Sequence, residues 1–212
     1  LLYNSQNGIS IDGDLIQGEL NSPAVHHLGK YWFIATTDNN GPQLHHWDGI
    51  NSVRVTSNLQ SDSGQSISPS IMGENIVFDS GGLVVFNTSI MNVVELNSSI
   101  QDVGLATNGI LHDDKLWFDC GVTTAGYELC VSDGESAWLH SDHVSGMASS
   151  SPSNLAIVDD ELIVTANHPS EGGQLYLVTE NGLELIMDHE SGNHDIATHG
   201  ELWVGNDMVY FI

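Results

Sequence analysis

The chain has 212 residues and a formal net charge of −25, because 28 acidic residues oppose only three lysine and arginine residues. Binding to phosphate needs cations, so this balance argues against nucleic acid and anionic membrane surfaces as partners. No apolar run approaches the roughly 20 residues that span a bilayer, so membrane insertion is not expected.

Short apolar runs separated by Gly, Asn, Asp and Ser recur along the chain and predict β-strands joined by tight turns. Residues 1–20 are expected to form two strands, 1–5 and 8–15. Four units of four predicted strands follow, and a fifth unit supplies only two strands. Their predicted strands are 22–28, 31–35, 43–47 and 52–56; then 68–72, 76–80, 83–87 and 93–96; then 106–111, 116–120, 127–132 and 137–140; then 151–158, 162–166, 174–179 and 183–187; and finally 196–204 and 208–212.

The second strands of these units recur at a nearly constant period. Aligned on Phe33, Phe78, Phe118, Val164 and Phe211, they are spaced by 45, 40, 46 and 47 residues. A period of this size made of short strands is typical of propeller blades. These strands are also apolar at consecutive positions, which indicates that both of their faces are covered. We predict an all-β fold, a five-bladed β-propeller forming a single domain over residues 1–212. A two-sheet sandwich and a fragment of a larger propeller remain alternatives.

The order of the strands predicts how this ring closes. The chain begins on the third strand of a blade and ends on the second strand of one. We therefore expect the C-terminal strand, 208–212, to pair with the N-terminal strand, 1–5. Without that pairing both terminal strands would expose open edges.

One stretch carries a resemblance to a known family. Tyr127-Glu128-Leu129-Cys130-Val131-Ser132-Asp133-Gly134 resembles the Glu-Leu-Trp-x-x-Asp-Gly repeat of secreted bacterial and archaeal β-propeller proteins, with Cys130 where the family usually has Trp. The resemblance implies a propeller scaffold and an extracellular or cell-surface location. That family has no shared catalytic motif, so the resemblance leaves the function open.

Histidines and acids are expected to gather on one face of the disc, which we call the loop face. It contains the connections that lead into each first strand and those between the second and third strands. Its candidates are Asp62, Asp142, His143, His168, Glu171, Asp188, His189, His194 and Asp195. We predict that Asp142, His143, His168, Glu171 and Asp195 bind a ligand. His143, His189, His194 and Asp195 are the predicted metal ligands, with calcium or zinc as the cation. Alternatively, the repeated Asp-His-x-Ser-Gly pattern at 142–146 and 188–192 merely shapes the same turn twice.

Two functions are consistent with such a face. A glycoside hydrolase needs carboxylates that converge from different blades, but only Asp195 supplies an acid at the five positions that begin the first strands. The chain also lacks a Gly-x-Ser-x-Gly motif and a phosphate-binding loop. The sequence therefore favours a non-catalytic extracellular binding or structural module, with a glycan, a peptide or a cell-surface protein as its partner. A five-bladed glycoside hydrolase is the alternative.

Cys120 and Cys130 lie on neighbouring predicted strands of the third blade, and we predict a disulfide between them, as suits a secreted protein. Alignment with the tighter second blade argues against the bond, since it places Cys120 opposite Leu129 or a neighbour. A one-residue bulge would restore the pairing. Two Asn-x-Ser sequons predict glycosylation at Asn87 and Asn97, in a secretory or archaeal cell-surface setting.

Overall fold

The computed structural model describes residues 2–5, 8–11, 14–16, 19–37, 39, 41–57, 59, 69–79, 83–94, 97–98, 109–187, 202–205 and 208–211. Every regular element in these ranges is a strand, and none of them contains a helix long and apolar enough to cross a membrane. The strands are β1 (Leu2–Ser5), β2 (Gly8–Ile11), β3 (Asp14–Ile16), β4 (Glu19–Leu20), β5 (Val25–His27), β6 (Lys30–Thr36), β7 (Gln43–Trp47), β8 (Ser52–Arg54), β9 (Ser70–Met72), β10 (Asn75–Asp79), β11 (Leu83–Asn87), β12 (Asn92–Val94), β13 (Asn97–Ser98), β14 (Ile110–His112), β15 (Lys115–Val122), β16 (Gly126–Ser132), β17 (Ser136–Ser141), β18 (Ser153–Val158), β19 (Glu161–His168), β20 (Gly172–Thr179), β21 (Gly182–Met187), β22 (Leu202–Gly205) and β23 (Met208–Phe211).

The chain divides into two compact units, residues 1–96 and 97–212. In the first unit, β1, β2 and β3 form one sheet, and β9 to β12 form another. Between them in sequence lies the sheet β4-β6-β7-β8, in which β5 also pairs with β6. We call this last sheet the Trp32 sheet.

The second unit repeats the same antiparallel arrangement. β14 to β17 form one sheet, to which the short β13 adds a parallel strand at the edge of β17. β18 to β21 form the next sheet, and β22 pairs with β23. The prediction of an all-β fold built from four-stranded antiparallel sheets is confirmed. In the described sheets β1 pairs with β2 and β23 with β22, so the five blades, the single domain and the closure of the ring stay predictions.

Two predicted strands differ from the structure at turn-forming residues. The predicted strand 8–15 corresponds to two antiparallel strands, β2 and β3, with Ile11 opposite Asp14. The sequence Asp-Gly at 12–13 favours a hairpin turn over a continuous strand. The predicted strand 22–28 is shortened to β5, with β4 pairing farther along β6. Pro23 has no amide to donate to a ladder, and the Ser22 hydroxyl accepts a hydrogen bond from the Ile34 amide instead (2.9 Å).

Each four-stranded sheet opens with a hairpin whose two strands are joined by two residues. His27 lies opposite Lys30, and Val158 lies opposite Glu161. In three of these hairpins both turn residues have positive φ, as in a type I′ turn, which matches the right-handed twist of the strands. In the β9–β10 hairpin only Gly73 does (φ 57°). The φ angles are 50° at Leu28, 73° at Gly29, 51° at Asp113, 57° at Asp114, 49° at Asp159 and 66° at Asp160.

The second strands are buried on both faces, as their consecutive apolar residues predict. In β6, Trp32, Phe33, Ile34 and Ala35 are each at most 2% exposed. One face of the Trp32 sheet packs on the sheet β9–β12 through a buried cluster, in which the Trp32 and Phe86 rings lie 5.7 Å apart. Full burial of one such side chain contributes roughly 1.5–3 kcal/mol, so this shared core holds the two sheets together.

Leu28 provides a test of the turn geometry. It has φ of 50° and is 65% exposed, so its side chain gains little from packing while its backbone occupies a region that a branched side chain disfavours. We predict that Leu28→Asn raises the free energy of unfolding by about 1 kcal/mol, because asparagine tolerates this conformation. Urea denaturation measures the change.

Ile50→Asn is the matched control for Leu28→Asn. Ile50 is 79% exposed and also lies in a hairpin turn, but its φ is not positive. A stabilisation of the same size in both variants would show that lost surface hydrophobicity, rather than relief of backbone strain, is the cause.

Candidate functional site

The glutamate of the family-like repeat is the most deeply buried acid among the described residues. Glu128, in β16, is 0% exposed. Its carboxylate accepts hydrogen bonds from the Ser150 amide (2.9 Å), the Ser150 hydroxyl and the His143 amide (3.3 Å). The Val144 amide also donates to it. Glu128 thereby fixes both ends of the connection between β17 and β18, residues 142–152, which we call the 142–152 loop.

Burial raises the pKa of Glu128 above its usual value, although the hydrogen bonds from Ser150, His143 and Val144 act in the opposite direction. Removing a carboxylate from water penalises its charged form, and donors that point at it recover part of that penalty. The donors matter for stability, because a buried carboxylate without them would be far more costly.

The same position of the repeat holds glutamine in two other sheets. Gln43 is 1% exposed, and its Oε1 accepts from the Thr56 hydroxyl (3.0 Å) and the Leu59 amide (3.4 Å). Gln174 is 0% exposed, and its Nε2 donates to the Glu171 carbonyl (2.6 Å). A buried amide or carboxyl at this position therefore binds a neighbouring connection in three sheets. Each of these three residues precedes a leucine in the sequence, and that recurrence alone does not reveal this role.

The 142–152 loop packs directly on the start of β16. The Ser149 hydroxyl accepts from the Tyr127 amide (2.9 Å), and the Tyr127 carbonyl accepts from the Ser151 amide (3.0 Å). Gly126 has φ of 74°, and a Cβ added there would lie 2.7 Å from the Ala148 carbonyl oxygen. The close approach of the loop therefore requires glycine at this position.

Four side chains meet beside this loop, and we call them the His143 cluster: His143, His168, Glu171 and Tyr176. The His143 ring lies 4.6 Å from the Tyr176 ring and 5.4 Å from the His168 ring, measured between centroids. The Tyr176 hydroxyl donates to Glu171 Oε2 (3.0 Å). His143 Nε2 is buried and has no hydrogen-bond partner among the described residues. One unused polar atom is thus positioned among aromatic and acidic groups.

Burial lowers the pKa of His143, the nearby His168 lowers it further, and Glu171 acts in the opposite direction. The neutral imidazole is therefore favoured in the folded protein. A pKa lowered on folding makes protonation unfavourable, so the contribution of this histidine to stability is lost as pH falls below its ordinary value of 6.5.

The structure brings together three of the five predicted ligand-binding residues, His143, His168 and Glu171. Asp142 is exposed, and its Oδ2 accepts from the Gly146 amide (3.2 Å), so it shapes the turn as the alternative interpretation expected. Asp195 lies outside the described residues, as do Asp62, Asp188, His189 and His194.

Metal binding was predicted at His143, His189, His194 and Asp195. In the part of the chain that the structure describes, no group of three or more His, Cys, Asp and Glu side chains is arranged to hold a metal ion. His143 and His168 supply only two imidazoles, whereas zinc sites in proteins use three or four protein ligands. The other predicted ligands, His189, His194 and Asp195, lie outside the described residues, so the calcium or zinc site stays a prediction.

The aspartate of the Asp-Gly repeat closes a turn. Asp133 Oδ1 accepts from the Glu135 (3.0 Å) and Ser136 (2.7 Å) amides, and these bonds lower the pKa of Asp133. Asp48 Oδ1 accepts in the same way from Ile50 and Asn51. These aspartates are therefore structural elements of the repeat.

Asn87 occupies the corresponding position in the sheet β9–β12, where its Oδ1 accepts from the Ser89 (3.0 Å) and Ile90 (3.1 Å) amides. Its Nδ2, the atom that glycosylation would modify, donates to Asn75 Oδ1 (2.9 Å). Asn97 lies in β13. Glycosylation at both sites stays a prediction.

Cys120 and Cys130 are disulfide-bonded, with Cα atoms 5.8 Å apart. Cys120 lies opposite Glu128, and Cys130 lies opposite Phe118, so the two cysteines are diagonal neighbours on one face of the β15–β16 hairpin. The register differs by one residue from the alignment with the second blade. The diagonal bond forms without a bulge between β15 and β16, and it lies next to the buried Glu128.

Comparison with known proteins supports the fold class. No family model and no curated protein matches the chain. TolB from Acinetobacter baumannii is similar with a TM-score of 0.51 and 14% identity, over 82% of this chain and 44% of TolB. BamB from Moraxella catarrhalis is similar with a TM-score of 0.53 and 12% identity, over 94% of this chain and 60% of BamB.

The fold is propeller-like. At these identities the similarity concerns the fold alone. The chain spans about half the length of these solved structures, 44% and 60% respectively.

The burial of Glu128 predicts a distinctive pH dependence. Its pKa is raised on folding, so the folded protein binds more protons than the unfolded chain as pH rises from 4.5, and stability falls in that window until the folded-state pKa is passed. Glu128→Gln removes this titration. We therefore expect the stability of the variant, relative to the parent protein, to increase as pH rises above 4.5. Urea denaturation at each pH measures it.

Glu135→Gln, in an exposed turn of the same sheet, controls for the loss of one negative charge. Parallel stability curves for the parent protein and Glu128→Gln over this pH range would contradict a raised pKa for the buried carboxyl.

Proposed function

We propose that the chain is a non-catalytic binding or structural module that acts outside the cytoplasm, and that it contacts its partner through the His143 cluster and the 142–152 loop. The partner is a glycan, a peptide or a cell-surface protein. The observation that carries the proposal concerns the described carboxylates beside this loop. Each of them accepts hydrogen bonds that hold the local structure in place.

Three acids support this interpretation. Glu128 is enclosed by donors from the 142–152 loop, and Asp142 accepts from Gly146 within the loop. Glu171 accepts from the Tyr176 hydroxyl. Glycoside hydrolysis requires one carboxyl group free to protonate the leaving group and a second free to act as base or nucleophile. The described acids at this site are better suited to hold imidazole and backbone groups for contact with a partner.

One further property supports a location outside the cytoplasm. Disulfides such as that between Cys120 and Cys130 persist mainly in oxidising compartments.

A glycan array combined with an assay for reducing ends separates binding from hydrolysis. We expect the purified protein to retain one or more glycans and to release no reducing sugar from them. His168→Ala should weaken binding by about fivefold or more, since the half-buried imidazole faces His143. Turnover of a bound glycan would support the hydrolase alternative and contradict the proposal.

His112→Ala is the matched control for His168→Ala. His112 is a partly buried histidine of the same unit, at the end of β14, and its backbone carbonyl accepts from the Trp117 indole (3.3 Å). Alanine retains that carbonyl. An equal loss of binding in both variants would indicate general destabilisation.

A further inference from the structure

An exposed row of aromatic rings crosses the Trp32 sheet. His26, Tyr31 and Trp47 are directly opposed across β5, β6 and β7. The His26 and Tyr31 ring centroids lie 5.0 Å apart, and those of Tyr31 and Trp47 lie 5.8 Å apart. His26 is exposed, Tyr31 is 43% exposed and Trp47 is half-buried. We call these three side chains the Tyr31 platform.

The repeat provides an internal comparison for this position. The register places Ile76, Leu116 and Leu162 where Tyr31 stands, as the second residue of the second strand. These three side chains are 0%, 5% and 2% exposed. The fold therefore accepts a buried aliphatic residue here, and packing does not account for an exposed tyrosine.

Trp47 differs from the repeat to a smaller degree. Its counterparts opposite the second strand, Phe86 and Ser132, are 0% exposed. Trp47 is half-buried and packs on the Phe33 core, with part of its ring at the surface beside Tyr31. Adjacent exposed aromatic rings mark a binding surface more often than a packing requirement.

The shape and the edge of the platform indicate the ligand. The Tyr31 and Trp47 rings are inclined by only 34° and lie side by side, which makes an open shelf and not an enclosing cage. A sugar ring has an apolar C–H face that stacks on such a shelf, and hydroxyls at its rim that need polar partners. The exposed His26 imidazole, beside Tyr31 at the edge of the platform, supplies such a polar partner.

The charges near the platform argue against an anionic ligand. Lys30, the nearest basic residue in sequence, has its Nζ 5.8 Å from the Trp32 ring, and Trp32 belongs to the opposite face of the sheet from Tyr31. Asp48 follows Trp47 directly, and the chain carries a net charge of −25. A neutral ligand avoids the resulting repulsion.

We propose that the Tyr31 platform is a binding site for neutral carbohydrate, with Tyr31 and Trp47 stacking on the sugar rings and the His26 imidazole contacting the ring hydroxyls. This site lies in the first unit and is separate from the His143 cluster of the second. Carbohydrate binding at the Tyr31 platform can therefore be tested independently of the proposed function of that cluster.

Calorimetric titration of the complete chain tests the site. The probes are neutral hexasaccharides of β-1,4-linked glucose, xylose, mannose and N-acetylglucosamine and of α-1,4-linked glucose, together with tetramethylammonium chloride as a cationic probe. We expect at least one hexasaccharide to bind. Tyr31→Leu should reduce its affinity by about tenfold or more, as loss of a stacking ring does elsewhere. Leucine stands at the equivalent position in two other sheets, so this variant is expected to fold.

Matched variants make the result decisive. Tyr31→Phe retains the ring and should bind within about twofold of the parent protein. Tyr210→Leu removes a tyrosine that is 48% exposed on another sheet and should bind normally. The proposal is overturned if no hexasaccharide binds, if Tyr31→Leu binds as the parent does, or if only tetramethylammonium binds, which would indicate a cation site. Loss of binding in His168→Ala but not in Tyr31→Leu would assign the sugar to the His143 cluster and likewise overturn it.

Discussion

A buried polar side chain at the start of the third strand controls how the connections around it are held. Glu128, Gln43 and Gln174 occupy this position in three sheets, and all three are at most 1% exposed. A polar group at such a depth is costly unless hydrogen bonds compensate for lost water. Connections supply those bonds through backbone amides or carbonyls. The interaction therefore works in both directions: the connection satisfies the buried group, and the buried group fixes the connection.

This constraint positions the His143 cluster. Glu128 accepts a hydrogen bond from the His143 amide. This bond fixes the backbone position from which the His143 side chain extends. Ser150, at the far end of the same loop, donates to Glu128 and accepts at its carbonyl from the Asn167 amide (2.7 Å), next to His168 in β19. The two imidazoles are thus brought together through backbone contacts to one carboxylate. Substitution of the buried acid is expected to disturb the cluster without touching either ring.

The strand pattern was largely predictable because burial on both faces leaves consecutive apolar residues, as in Trp32-Phe33-Ile34. Turn residues were equally informative where Gly or Asp permits positive φ. The diagonal disulfide was harder to predict. It depends on the register of β15 and β16, and a difference of one residue in a hairpin connection moves every side chain to the other face.

The candidate site was predictable in part, since strand order alone places His143, His168 and Glu171 in connections at one end of the sheets. Their specific contacts depend on the path of the 142–152 loop, which the sequence did not reveal. A strand pattern of alternating exposure gives no reason to bury an acid, and Glu128 becomes intelligible only when the donors of the distant Ser150 and His143 are known.

Comparing equivalent positions of the repeated sheets distinguishes residues that the fold requires from residues selected for another role. Where several sheets agree, as at the buried Glu or Gln and at the turn-closing Asp48 and Asp133, the physical role is structural and can be identified from hydrogen bonds. Where one sheet departs from the others without gaining burial, folding stability does not explain the choice of residue. Tyr31 is such a departure, because aliphatic residues at the same register position are buried in three other sheets. The chain can therefore be interpreted by comparison with itself, since its sheets share one backbone arrangement but have different exposed side chains.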